Sequence, residues 1–285
     1  MKLFDRLSNG WRIGKISLKT IKENPSLMLF PVISGFSLVL VTLSFFGGGY
    51  MLFGENIIAA ADSSSGGGSE TAINAFVYLL VFVFYLINYF VIVFFNVGLV
   101  HCAKMILEGK ETSVGEGINY ALTRISSIFA WAVLAATVGL ILKTIQERAG
   151  ALGGIITSMI GMVWGIATYF VVPIIAYEDV SPFEAVKRSG QMIKEKWGES
   201  IGANFSFGLF TLIGILFVAI PVGYLLGAMI NPIVGIVAGI IIFLLVQTAV
   251  SAANMVFLAA AYQHINEEPT GYFENDVLDD MFMQK

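Results

Sequence analysis

Glu178 and Arg188 stand where a long apolar run gives way to charge, in the stretch Val171-Val172-Pro173-Ile174-Ile175-Ala176-Tyr177-Glu178-Asp179-Val180-Ser181-Pro182-Phe183-Glu184-Ala185-Val186-Lys187-Arg188-Ser189. A carboxylate and a guanidinium at such a boundary support two chemistries. They can form a charge-assisted pair that fixes a surface helix against a membrane-embedded bundle. Alternatively Arg188, with Lys187 and Lys194, can bind the phosphate of an anionic lipid head group, which sits at that depth. Pairing and capping is the simpler account. Pro173 has no N–H to give and is expected to end or kink the helix before Glu178. Ser181 is placed to cap the next helix, with Glu184 three residues on as the second half of a capping box. Ser189 and Trp197 complete this interfacial group.

A second set of polar residues lies inside apolar runs. Gln247, Ser251 and Asn254 share one helix face, and Asn88, Asn96 and Asn204 stand elsewhere. Such residues usually face a bundle interior. They either hydrogen-bond between helices, at about 0.6 to 2 kcal/mol each, or line a path for a substrate. No Asp, Glu, Lys or Arg stands at mid-depth in any apolar run. That speaks against a proton-coupled pump or a voltage sensor, which need ionisable groups there. The only histidines, His101 and His264, have no cysteine cluster beside them, so neither a metal nor a cofactor is expected. His101 and Cys102 lack an acidic or second histidine partner in sequence, and no catalytic pair is readable. Gly47-Gly48-Gly49 has neither the lysine nor the strand–helix context of a phosphate loop.

These residues have to be held by a membrane fold. Of 285 residues, 57% are hydrophobic and 13% charged, against about 25% charged in a soluble domain. A chain this size cannot bury so much apolar surface by itself. The expected fold class is all-α, a polytopic membrane protein with six transmembrane helices. The spans are placed near 27–53, 73–107, 125–142, 155–177, 204–229 and 233–262, each long enough for a bilayer that needs about 20 residues. Together they make a domain over 1–265, followed by an acidic tail over 266–285. The first apolar run begins too late and runs too long for a signal peptide. Glycine and serine around 63–69 predict a flexible loop over 55–72. Amphipathic, charged helices are expected before spans one, three and five, lying at the membrane surface. Lys and Arg divide 14 against 2 between the two sides, which places both termini in the cytoplasm.

Ser17-Leu18-Lys19-Thr20-Ile21-Lys22-Glu23 aligns with Ser189-Gly190-Gln191-Met192-Ile193-Lys194-Glu195 at Ser, Ile, Lys and Glu. A three-unit repeat of surface helix plus hairpin explains the match, and so does the general character of basic interfacial helices. Val172-Pro173, Glu178, Ala185-x-x-Arg188-Ser189 and Trp197 resemble the six-span membrane domain fused to some glycerophosphodiester phosphodiesterases. They also resemble that domain's stand-alone, uncharacterised inner-membrane relatives. The resemblance implies a membrane fold. It does not imply phosphodiesterase activity, because the six spans leave no room for an acid-rich catalytic barrel.

The expected function is therefore that of a non-catalytic integral protein of the cell inner membrane, a scaffold, assembly or regulatory subunit. Its partners would be membrane lipids, a membrane protein or further copies of itself, and not nucleic acid. Gly161-x-x-x-Gly165, Gly223-x-x-x-Gly227 and Gly235-x-x-x-Gly239 allow close helix packing, within the protomer or across a dimer seam. The alternative is a transporter or channel-like protein for a lipid or small amphiphile. An enzyme acting on lipid head groups ranks last, since no carboxylate pair or nucleophile–base set is readable.

Overall fold

A computed structural model describes residues 14–62, 69–148, 150–196, 202–268 and 270. Every regular element among them is helical. Residues 14–23 form α1, and a 3-10 turn at Pro25–Met28 leads into α2 (Leu29–Asp62) and α3 (Ser69–Leu107). The chain continues through α4 (Val114–Thr123), α5 (Ile125–Arg148), α6 (Gly150–Ala167), α7 (Val171–Tyr177) and α8 (Pro182–Lys196). Then come α9 (Gly202–Gly214), a π turn at Ile215–Ala219, α10 (Ile220–Met229) and α11 (Pro232–Ile265).

Six of these segments are long and apolar enough to cross a membrane: Pro25–Gly48, Val77–Leu107, Ile125–Glu147, Gly154–Tyr177, Phe210–Met229 and Pro232–Ile265. The protein is thus a multi-pass membrane protein of all-α class. The loop expected over 55–72 is corrected at both ends, because α2 runs on to Asp62 and α3 starts at Ser69. The apolar and alanine residues before Asp62 are good helix formers, and the glycine-rich run that suggested a linker is confined to 63–68, outside the described residues. Trp197 and the tail from residue 271 also lie outside them. The tail's first residues fold back rather than extend. Glu267 turns the chain with φ 61°, and Thr270 is buried.

Span four is broken, though not at Pro173. α6 ends at Ala167 and α7 starts at Val171, so Pro173 falls in the first turn of α7, where its missing N–H leaves no helical bond unmade. Span five carries a wide turn just before Pro221, closed by the Ile220 N–H donating to the Ile215 carbonyl.

The core sits at one end of the bundle. Val97, Val100 and Ala103 of α3, Ile174 and Ala176 of α7, and Ala252, Ala253 and Val256 to Ala261 of α11 are almost wholly buried there. At the other end α10 and α11 form a hairpin whose outer face is bare, with Tyr224, Met229 and Ile233 at least 74% exposed. A bilayer supplies the missing apolar contact. The three surface helices α1, α4 and α8 cap the packed end, called here the charged rim.

Candidate functional site

At the charged rim, α7 is tied to its neighbours from both ends. Its short sequence, Val171 to Tyr177, is too brief to hold as an isolated helix. At its start, the Phe170 N–H donates to the Ser189 hydroxyl of α8 at 2.9 Å. Both residues are fully buried. At its end, Arg188 Nε of α8 donates to Glu178, 2.7 and 2.6 Å from the two carboxylate oxygens. The Tyr262 hydroxyl of α11 donates to the same carboxylate at 2.8 Å. Between these points, Tyr120 of α4 donates to the Ala176 carbonyl at 2.6 Å, and Tyr177 donates to the Val100 carbonyl of α3 at 3.3 Å.

The same tyrosines form an aromatic layer. Tyr177 lies 5.9 Å from Tyr262 and 6.0 Å from Tyr120, centroid to centroid. His101 stacks on Tyr120 at 3.8 Å with its Nε2 3.8 Å from Glu116. Lys104 lies 4.5 Å above the Tyr177 ring and reaches Glu268 at 2.5 Å, a cation–π contact backed by a carboxylate. The tail is thereby joined to α3. Next to this layer the Cys102 thiol donates to the Ser113 carbonyl at 3.4 Å and accepts from Thr112 at 3.4 Å.

α8 is docked by its inner face. Ala185, Ser189 and Met192 are buried, whereas Phe183, Glu184, Lys187, Gln191 and Lys194 face outward. The Ser181 hydroxyl accepts from the Glu184 N–H at 3.3 Å, which is the expected N-cap. Ser17 of α1, which aligns with Ser189, is equally buried.

The sequence-read residues separate into two groups. Pro173, Glu178, Arg188 and Ser189 converge on α7. Arg188 faces Glu178, and Lys187 lies 3.7 Å from Glu184, so each of these two cations has a carboxylate partner. The intramembrane polar residues whose side chains are described, Asn88, Asn96, Gln247, Ser251 and Asn254, differ in their surroundings. Asn88 donates to its own helix, at the Phe84 carbonyl, 2.7 Å away. Asn96 and Asn254 are half-buried, and Asn204 lies in α9. Gln247 and Ser251 are exposed, contrary to the inward placement expected of polar residues in a span. Among the described residues no group of three or more His, Cys, Asp or Glu is placed to hold a metal ion.

Tyr120, Tyr177, Tyr262, Lys104 and Glu268 were missed by sequence reasoning. One signal was available: tyrosines near the ends of apolar runs mark an aromatic belt at the membrane surface.

The family model described as a family of unknown function, DUF6159, matches residues 75–272. That is more than half of the chain. The chain belongs to this family. The matched region runs from α3 to the docked start of the tail, and so contains the whole α7 assembly except α1 and α2. No curated protein and no solved structure matches the chain.

Proposed function

We propose that this DUF6159 member is a non-catalytic scaffold, assembly or regulatory subunit of the cell inner membrane, with both termini in the cytoplasm. Its contact surface on this reading is the outer face of α8. One observation carries the proposal: Ser189 with the Phe170 N–H, and Arg188 with Glu178 and Tyr262, hold α8 against the bundle and leave its outer face as a platform. Phe183 stands 74% exposed on that platform, with Lys187 and Gln191 beside it. A large aromatic ringed by polar side chains is the composition of a protein contact. The resemblance to the phosphodiesterase-linked membrane domain agrees with this, since a fused domain needs a membrane-anchored platform.

The test is native mass spectrometry of the full chain extracted in mild detergent. The expected result is a complex of fixed stoichiometry with another membrane protein, lost in the Phe183→Glu, Lys187→Glu double variant. A chain that stays without a protein partner and retains a defined lipid overturns the proposal.

That second outcome would favour a carrier or channel for a lipid or small amphiphile. One feature supports it, an apolar groove of about 610 Å³ between α10 and α11, lined by Gly223, Gly227, Gly235 and Gly239 among others. The groove would suit an acyl chain. Asn88, Asn96, Gln247 and Asn254 are not among its lining residues.

A further inference from the structure

Along α11 the residues Ile233, Val237, Ile240, Leu244, Gln247 and Ser251 recur at alternating steps of four and three. The first four are at least 50% exposed, and Gln247 and Ser251 are exposed as well. The spacing is that of a coiled-coil seam, one unbroken line on one side of a helix. Its apolar members would be equally content against lipid. Gln247 would not. It lies 15 residues along the helix from Pro232, hence about 22 Å into a hydrocarbon layer about 30 Å thick. No water is available there, and no other described residue is hydrogen-bonded to its amide.

We propose that this stripe is the seam of a homodimer in which Gln247 pairs with Gln247 of a second copy. Two features select the second copy over lipid or a different protein. All copies insert in the same direction, so a seam on one helix brings two parallel α11 helices together about a two-fold axis. In that arrangement each seam position faces itself. The Gln247 amide is its own complement, because it holds a donor and an acceptor and satisfies both against an identical group. A lipid tail offers neither. Ser251, one turn below, adds a second self-complementary group. The single amide among apolar seam residues also sets the register, as a lone polar residue does in a soluble coiled coil. The seam is remote from α8, so its failure leaves the reading of the charged rim standing.

The test is oxidative cross-linking of the full chain in its native membrane. Leu244→Cys and Ser251→Cys occupy the seam, and Leu245→Cys, 52% exposed but off the stripe, is the control. Cys102 is 1% exposed and does not compete. The expected result is a disulfide-linked dimer at 244 and 251 and none at 245. Gln247→Leu, at an exposed site that leaves the core intact, is expected to raise the dimer dissociation constant by about 3- to 30-fold. Gln247→Asn, which keeps an amide, is expected to lose less. Equal cross-linking at all three positions, none at any, adducts of another mass, or a Gln247→Leu dimer of unchanged affinity would each overturn the proposal.

Discussion

Ser189→Ala removes one oxygen and nothing else from the junction of α7 and α8. In the native protein that oxygen accepts the Phe170 N–H at 2.9 Å, and both residues are 0% exposed. The substitution therefore takes the acceptor from a buried backbone donor, and the void is smaller than a methyl group. The cost is that of an unsatisfied buried backbone group, about 1–3 kcal/mol, or about 5- to 150-fold in the unfolding equilibrium. The chain carries its own reporter. Cys102 is its one cysteine, is buried, and lies on α3 two residues from Val100, whose carbonyl holds Tyr177 of α7. A thiol-reactive fluorophore added to detergent-solubilised protein over an SDS series reports unfolding at that site. The expected result for Ser189→Ala is a shift of the labelling transition to lower SDS. Ser158→Ala serves as the control, because its exposed hydroxyl only bonds back to the Gly154 carbonyl at 2.7 Å, and a change within about 0.5 kcal/mol is expected. Labelling of Ser189→Ala that coincides with the unsubstituted protein would refute the argument that Ser189 closes the break in span four.

Gly117→Ala should be worse than its one methyl suggests. The added carbon would lie 2.7 Å from the Gly98 carbonyl oxygen and 2.7 Å from the Cys102 sulfur, and a backbone atom cannot step aside. Overpacking of this kind costs about 1–3 kcal/mol, and faster labelling of Cys102 would show α4 lifting from α3. Tyr262→Phe deletes the 2.8 Å bond to Glu178 but leaves Arg188 in place. A loss of about 0.5–1.5 kcal/mol is expected in the same titration. Asn231→Ala removes the side-chain oxygen that accepts the Val234 N–H at 2.9 Å at the start of α11, and a helix cap is worth about 0.5–2 kcal/mol. Asn231→Asp retains the acceptor and should be close to neutral by comparison.

The six spans were legible because a bilayer imposes one length and one composition on whatever crosses it. The N-cap at Ser181 and the pairing of Glu178 with Arg188 were legible too, since both partners lie within one short segment. Glycine content misled at 55–72, where composition was read as a loop although only the middle of the stretch is glycine-rich. The third member of the Glu178 cluster, Tyr262, is 84 residues away, and no local pattern announces it. The role of Ser189 was hidden for a different reason. Its partner is the Phe170 backbone amide, in the break of span four at 168–170, three residues before the proline that seemed the natural place. The outward placement of Gln247 and Ser251 could not be read either. Helical spacing puts them on one face, but whether another helix covers that face depends on the packing of the whole hairpin.

The core closes on α11, the sixth span. Ala252 to Gln263 of α11 supply much of its buried surface, and Tyr262 and Glu268 complete contacts begun by residues synthesised far earlier. While the ribosome is still extending the chain, the first five spans can be threaded into the bilayer and can pack on α3, but the side of the core that α11 covers stays open. Each must be tolerated there by its own apolar length until the sixth arrives and locks the set. A chain stopped before residue 252 is therefore expected to be membrane-inserted yet unassembled, the form that quality-control proteases remove. The order of synthesis makes assembly of these six spans wait on α11.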